Sequence, residues 1–159
     1  MLGSKSTYFH QSQEVLATNL NAVFAYLKSK GYTSVEIRYY LEAFTYFSEN
    51  PNDFDGATFV KDICDIDGLD LDAMLHDYMC LALNASASYE TKSIADKIYY
   101  RQMLRKNKPK NQATFYFVLL KMVGTLHVIY SVSKRGFISR KNEKRIYRMN
   151  KFFEQKNTY

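Results

Sequence analysis

The stretch TSVEIRYYLEAFTYFSENP, residues 33–51, decides the fold class. Val35, Ile37, Tyr40, Leu41, Phe44 and Phe47 recur at helical spacing, Thr33 or Ser34 can cap the start, and Asn50-Pro51 stops the run. Upstream, Val15, Leu16, Leu20, Val23, Phe24 and Leu27 carry the same repeat through Gln11 to Lys30, and Gly31 stands where a left-handed cap ends such a helix. Downstream, residues 51–69 read as a loop rich in Asp and Gly, with a short apolar turn around Phe59 to Ile63, and long loops in compact domains are often functional. Asp70 or Asp72 then starts a third helix reaching about Leu83, and Ser88 to Thr91 supplies caps for a fourth reaching about Arg105. Lys106 to Asn111 is a basic turn containing Pro109, and Phe115 to Ser131 reads as a buried fifth helix. After Gly136, Ser139 caps a last helix, Arg140 to Phe153, with Ile146, Met149, Phe152 and Phe153 on one side.

No strand alternation of convincing length appears, so the expected fold is mainly α. It is a compact single domain of about five to six helices with a long Asp/Gly-rich loop and a basic C-terminal helix. Residues 1–133 form the helical domain, with its motif core at 54–125, and residues 134–159 the basic C-terminal extension. A chain of 159 residues suits one sizeable core, because a domain of that size buries roughly 70% of the surface its unfolded form exposes. Fourteen Tyr and eleven Phe with no Trp favour surfaces that pack a ring while offering a hydroxyl, as contact proteins do. An A/T-rich coding bias produces the same composition.

Cys64 and Cys80 are the only cysteines, too few for a disulfide framework and not spaced as a CxxC pair, so no disulfide is expected. The N-terminus lacks a charged segment followed by an unbroken apolar one, and no signal peptide is read there. The longest apolar run, Phe115 to Tyr130, is interrupted by Lys121 and His127 and falls short of the ~20 residues that span a bilayer, so no transmembrane segment is expected. The formal net charge of +6 conceals a polarity: residues 1–100 hold fourteen acidic and seven basic side chains, residues 101–159 two acidic and fifteen basic ones. Such a basic half suits nucleic acid, a membrane or an acidic protein neighbour, and the polarity also suits copies that associate head to tail.

One ordered series brings a histidine and carboxylates to spacings that can build a site: Phe54-Asp55-Gly56-Ala57-Thr58, Leu75-His76-Asp77-Tyr78-Met79-Cys80, and Ala95-Asp96-Lys97-Ile98-Tyr99-Tyr100. His76 and Asp77 can border one cleft from one helix, and Asp96 can approach from the antiparallel helix that follows. A carboxylate on one ring nitrogen would fix the tautomer of His76 and leave the other nitrogen as a general base, with Asp77 holding a cation. His76 and Asp96 are therefore the catalytic candidates, and Asp77 and Asp55 the metal candidates. The plainer reading makes His76 a packed imidazole that ties the Asp55 turn or Asp96 to the core, and makes Asp55-Gly56 a turn that folds the loop. An HD phosphohydrolase would need a further upstream histidine in register, and His10 lies in a start expected to fray. His127, on an apolar helix, reads as a core histidine.

The series resembles a phage-associated domain of unknown function that carries FDGAS-like, HDYLY-like and ADxxF-like motifs in this order, followed by an apolar helix ending near a glycine, as Phe115 to Gly124 does here. The resemblance implies a virion or assembly role, as at a neck or tail, with other phage structural proteins as partners in a homo- or hetero-oligomer. It also implies synthesis in the host cytoplasm and residence in the virion. The HD helix is distantly similar to the phospholipase A2 pattern, which implies a calcium-dependent lipid or ester hydrolase with His76 as base, Asp77 on calcium and Asp96 as partner. Cys80 stands where that pattern has Tyr, the glycine-rich calcium loop is missing, and Asp65-Ile66-Asp67-Gly68 places its glycine too early for an EF-hand. Asp55, Asp62, Asp65, Asp67, Asp70 and Asp72 nonetheless supply many oxygen ligands, so Ca2+ is the one cofactor considered.

The basic C-terminus is the second candidate: Lys134, Arg135, Arg140, Lys141, Lys144, Arg145, Arg148 and Lys151, interleaved with Tyr147, Phe152 and Phe153, can meet phosphates and stack on bases. A solvated helix face gives the same charge run, and no helix-turn-helix spacing, zinc ligand set or RNA-binding aromatic signature accompanies it. The leading expectation is a non-enzymatic phage structural or assembly protein, ahead of the hydrolase and of a basic nucleic-acid binder.

Overall fold

The structure, a computed structural model, describes residues 7–54, 65–66 and 68–154. Among them are seven α-helices and no strand: α1 (Gln13–Ser29), α2 (Ser34–Glu49), α3 (Leu71–Leu81), α4 (Tyr89–Arg105), α5 (Lys110–Met122), α6 (Gly124–Arg135) and α7 (Arg140–Glu154). The chain is mainly α, as its apolar spacing predicts. It divides into two compact units, Met1–Tyr78 and Met79–Tyr159, and the division falls within α3.

In the first unit, α1 packs against α2. The Ser12 hydroxyl accepts from the Val15 amide to cap α1. At the other end Gly31, at φ +77°, donates to the Lys28 carbonyl while the Tyr32 amide donates to the Leu27 carbonyl, a Schellman cap that needs a residue tolerant of positive φ. Two residues later α2 opens on a capping box. The Thr33 hydroxyl accepts from the Glu36 amide, and the Glu36 carboxylate accepts from the Thr33 amide at 2.6 Å. The buried face of α2 places Phe44 and Phe47 against Phe9 from the 3-10 turn Tyr8–His10 and against Phe54, with the Phe9–Phe44, Phe9–Phe54 and Phe47–Phe54 ring centroids 5.0–5.1 Å apart. Each such ring removed from water contributes about 1.5–3 kcal/mol, which makes this cluster the anchor of the unit.

In the second unit α4 is the central element, packed by α5, α6 and α7. Asn84, in left-handed conformation, donates from its amide to the Gly136 carbonyl at 3.0 Å and accepts from Arg135 Nε at 3.1 Å, so the 3-10 turn Ala85–Ala87 is tied to the end of α6. The Ser139 hydroxyl caps α7 by accepting from the Asn142 amide. Ile146, Met149 and Phe153 of α7 are buried, and Arg101 of α4 reaches across to Asn150 and Glu154 at 3.1 Å each. Ser88 occupies the cap position of α4 without a capping hydrogen bond from its side chain, while the Thr91 hydroxyl donates to the Ala85 carbonyl at 2.6 Å.

One expectation is overturned. The run Phe115 to Ser131 is neither one helix nor buried: α5 ends at Met122, α6 begins at Gly124, and the two axes bend by 51°. Ala113 is the buried side chain that α5 contributes, and Val128 and Ser131 those of α6. Gly124, itself buried, sits on the Lys92 stem, where an added Cβ would meet Lys92 carbons at 3.8–3.9 Å. The helix count therefore reaches seven because the fifth expected helix is two. His127 is likewise on the exposed side of α6 and is not a core histidine.

Candidate functional site

Three places carry the chemistry-bearing side chains. The first is α3 and the residues before it. Asp70 caps α3, its carboxylate accepting from the Asp72 and Ala73 amides at 3.0 and 3.2 Å, and Asp65 accepts from the Leu71 amide at 2.9 Å. The buried Asp72 accepts from the Tyr40 hydroxyl at 3.0 Å. Burial, reinforced by the Asp72 charge and the neighbouring Tyr32, holds the Tyr40 phenol well above its usual range.

Carboxylate oxygens of Asp65, Asp70 and Asp72 lie within 4.8 Å of one another, so among the described residues this is where a hard cation would find several ligands. Their hydrogen bonds already assign them to helix capping and to the tie with α2. Asp77 is not part of that group, and Asp55, with the rest of the FDGAT turn after Phe54 and most of the Asp/Gly-rich loop, lies outside the described residues. His76 and Asp77 follow on α3, both partly buried, with His76 Nδ1 and Asp77 Oδ1 3.7 Å apart. That separation is an electrostatic approach and too long for a direct hydrogen bond.

Asp96 lies in the second unit and has a different company. It is buried on α4 and accepts from Lys92 Nζ at 2.8 Å, an ion pair spaced one helical turn apart in which Lys92 is buried too. Lys92 Nζ also donates to the Leu120 carbonyl at 3.2 Å, which reaches α5 near its end. Lys121 Nζ stands 3.8 Å from the same carboxylate and donates to Ser93 Oγ at 2.7 Å. Burial pushes the Lys121 ammonium below its usual range, against the opposing pull of Asp96. The Asp96 carboxylate is thus committed to two cations that join α4 to α5, the arrangement of a structural clamp. Sequence reading missed it, although Lys92 four residues before Asp96 was the visible signal.

The third place is the surface of α5, α6 and α7. Lys141, Lys144, Arg148 and Lys151 of α7 are exposed, as are Arg140 and, at the end of α6, Lys134 and Arg135; Arg145 is half-buried. The basic candidates therefore form a solvated face over the apolar side that docks α7 on α4. Beside them in sequence stands an apolar stripe that sequence reading assigned to the core. Phe115, Val118 and Met122 of α5, and Leu126, Ile129 and Tyr130 of α6, are each 48–74% exposed, and Phe137 beyond α6 is exposed as well. Their spacings, i, i+3, i+7 and i, i+3, i+4, put each set on one helix face. Between Asp96 and Glu143 the chain has no carboxylate and eleven Lys and Arg, a signal legible in the sequence that separates this stripe from an ordinary amphipathic surface. Among the described residues no helix is by itself long and apolar enough to cross a membrane; α5 and α6 together meet the length and composition of a span but are bent at their junction.

Compared with known protein families, curated proteins and solved structures, the chain matches none.

Proposed function

We propose that this protein is a non-enzymatic assembly or structural component that works by surface contact, and, on the motif resemblance, that it serves a phage particle at a neck or tail position. The observation that carries this reading is the exposed apolar stripe of α5 and α6 in a carboxylate-free stretch. Contiguous exposed apolar side chains of this kind mark interaction surfaces, because a solvated monomer gains nothing by displaying them. Asp96 supports the same reading, since it is held between Lys92 and Lys121, and so do Asp65 and Asp70, whose carboxylates accept from amides at the start of α3.

The experiment is particle copurification. The chain is followed by mass spectrometry through density-gradient purification of phage from a host carrying its gene, in parallel with an Ile129→Lys variant. The expected result is a fixed stoichiometry in particles for the parent and its loss for the variant. A parent chain that stays at the top of the gradient overturns the reading. So does calcium-dependent hydrolysis of phospholipid vesicles that both His76→Asn and Asp77→Asn abolish while leaving stability unchanged, which would establish the hydrolase instead.

A further inference from the structure

We infer that the stripe formed by Phe115, Val118, Met122, Leu126, Ile129 and Tyr130 docks on the surface of an anionic lipid bilayer, an inference that rests on the reading that the protein works through this face. Geometry fixes the mode. Helices of 13 and 12 residues reach about 20 Å at 1.5 Å per residue, short of the ~30 Å hydrocarbon core, and the 51° bend keeps the pair from adding up to a straight span. Two short helices with one apolar face each and a bend between them suit lying in the interface plane. At the junction the Val123 amide donates to the Leu119 carbonyl and the His127 amide to the Val123 carbonyl, so part of the backbone at the bend is already paired.

Charge selects the lipid. Lys108 and Lys110 stand at the start of α5, and Lys134 and Arg135 at the end of α6, without a single carboxylate in either helix. Lys134 lies 5.4 Å over the Tyr130 ring and donates to its hydroxyl, which places an ammonium at the polar edge of an aromatic side chain, as at a headgroup boundary. A second copy of this chain complements the face less well. Two such faces would oppose their own cations. A nucleic acid would answer the cations but leave Met122, Leu126 and Ile129 without apolar contact. An anionic bilayer answers both.

The chain has no Trp, so Phe115→Trp at an exposed aromatic position installs a single reporter. Full-length protein carrying it is titrated with vesicles of equal parts phosphatidylglycerol and phosphatidylcholine and with pure phosphatidylcholine vesicles, and binding is read by cosedimentation, emission shift and quenching by brominated acyl chains. The expected result is a blue shift with acyl-chain quenching on the anionic vesicles, at least about ten-fold weaker binding to the neutral ones, and a similar loss in a Leu126→Ser, Ile129→Ser variant of unchanged helicity. Equal binding to both vesicle types overturns the inference, and so does serine-variant binding equal to the parent's, which would assign attachment to α7. Concentration-dependent oligomers in light scattering that the serine changes abolish, without vesicle binding, make the face a self-contact. That result sinks the lipid inference while leaving the assembly role standing, whereas vesicle binding by a chain absent from particles sinks the particle role alone.

Discussion

At the scale of single residues, two buried carboxylates, Asp72 and Asp96, are each held by a named partner. Tyr40 gives its hydroxyl to the buried Asp72, so Tyr40→Phe removes a partner from a carboxylate that has left water; the expected loss is about 1–3 kcal/mol in urea unfolding, with the midpoint shifted and the slope unchanged. Asp96 is the sharper case because two readings of it diverge. If it were a catalytic carboxylate poised for a substrate, Asp96→Asn would leave stability largely intact. As the buried partner of Lys92, its neutralisation strands a buried ammonium, and the expected cost is about 3–5 kcal/mol. The double change Lys92→Met, Asp96→Leu removes both charges together and is expected to recover most of that loss, a coupling that a double-mutant cycle measures directly.

At the scale of elements, the ends of helices were more legible in the sequence than their faces. Gly31 announced the cap of α1 because positive φ has few other occupants, Thr33 and Asn50-Pro51 bracketed α2, and Ser139 marked the start of α7. These are local chemistries, decided within a turn. Faces depend on what arrives from elsewhere in the chain. Phe115 to Ser131 is apolar on several sides, so its periodicity could not say which side would be covered, and the junction at Val123-Gly124 lies against Lys92 of α4, whose stem borders Gly124 and whose ammonium donates to the Leu120 carbonyl. The candidate site shows the same limit. Lys92 and Asp96 were readable as an i, i+4 pair, but their burial was not, and burial is what separates a clamp from a solvated pair. In α7 the two faces were readable because charge and apolarity alternate at helical spacing. Ile146→Ala is therefore expected to cost about 2–5 kcal/mol, whereas Lys144→Ala is expected to stay within about 0.5 kcal/mol, both by thermal and denaturant unfolding. Equal, small effects at the two positions would mean that α7 is not docked on α4.

At the scale of the whole molecule, the unusual tyrosine content gives stability a dependence on alkaline pH. Tyr40 and Tyr78 both have phenols raised above the ordinary value of 10.0, Tyr40 by burial and the Asp72 charge, Tyr78 by burial and its neighbour Tyr39. In the unfolded chain these phenols ionise near pH 10, while in the folded protein they keep their protons to higher pH. Between the two values the folded state binds more protons than the unfolded one, so stability falls as pH rises. The contribution is complete below pH 10 and is lost as pH climbs through the folded-state values. Absorbance at the phenolate band should accordingly show a delayed group of tyrosines that ionises together with the loss of helical circular dichroism. Tyr40→Phe should shrink the delayed group and flatten the alkaline fall in stability, measured relative to that variant's own stability at neutral pH. Simultaneous, reversible ionisation of every tyrosine with helicity intact would show that neither phenol is held as the folded structure places it.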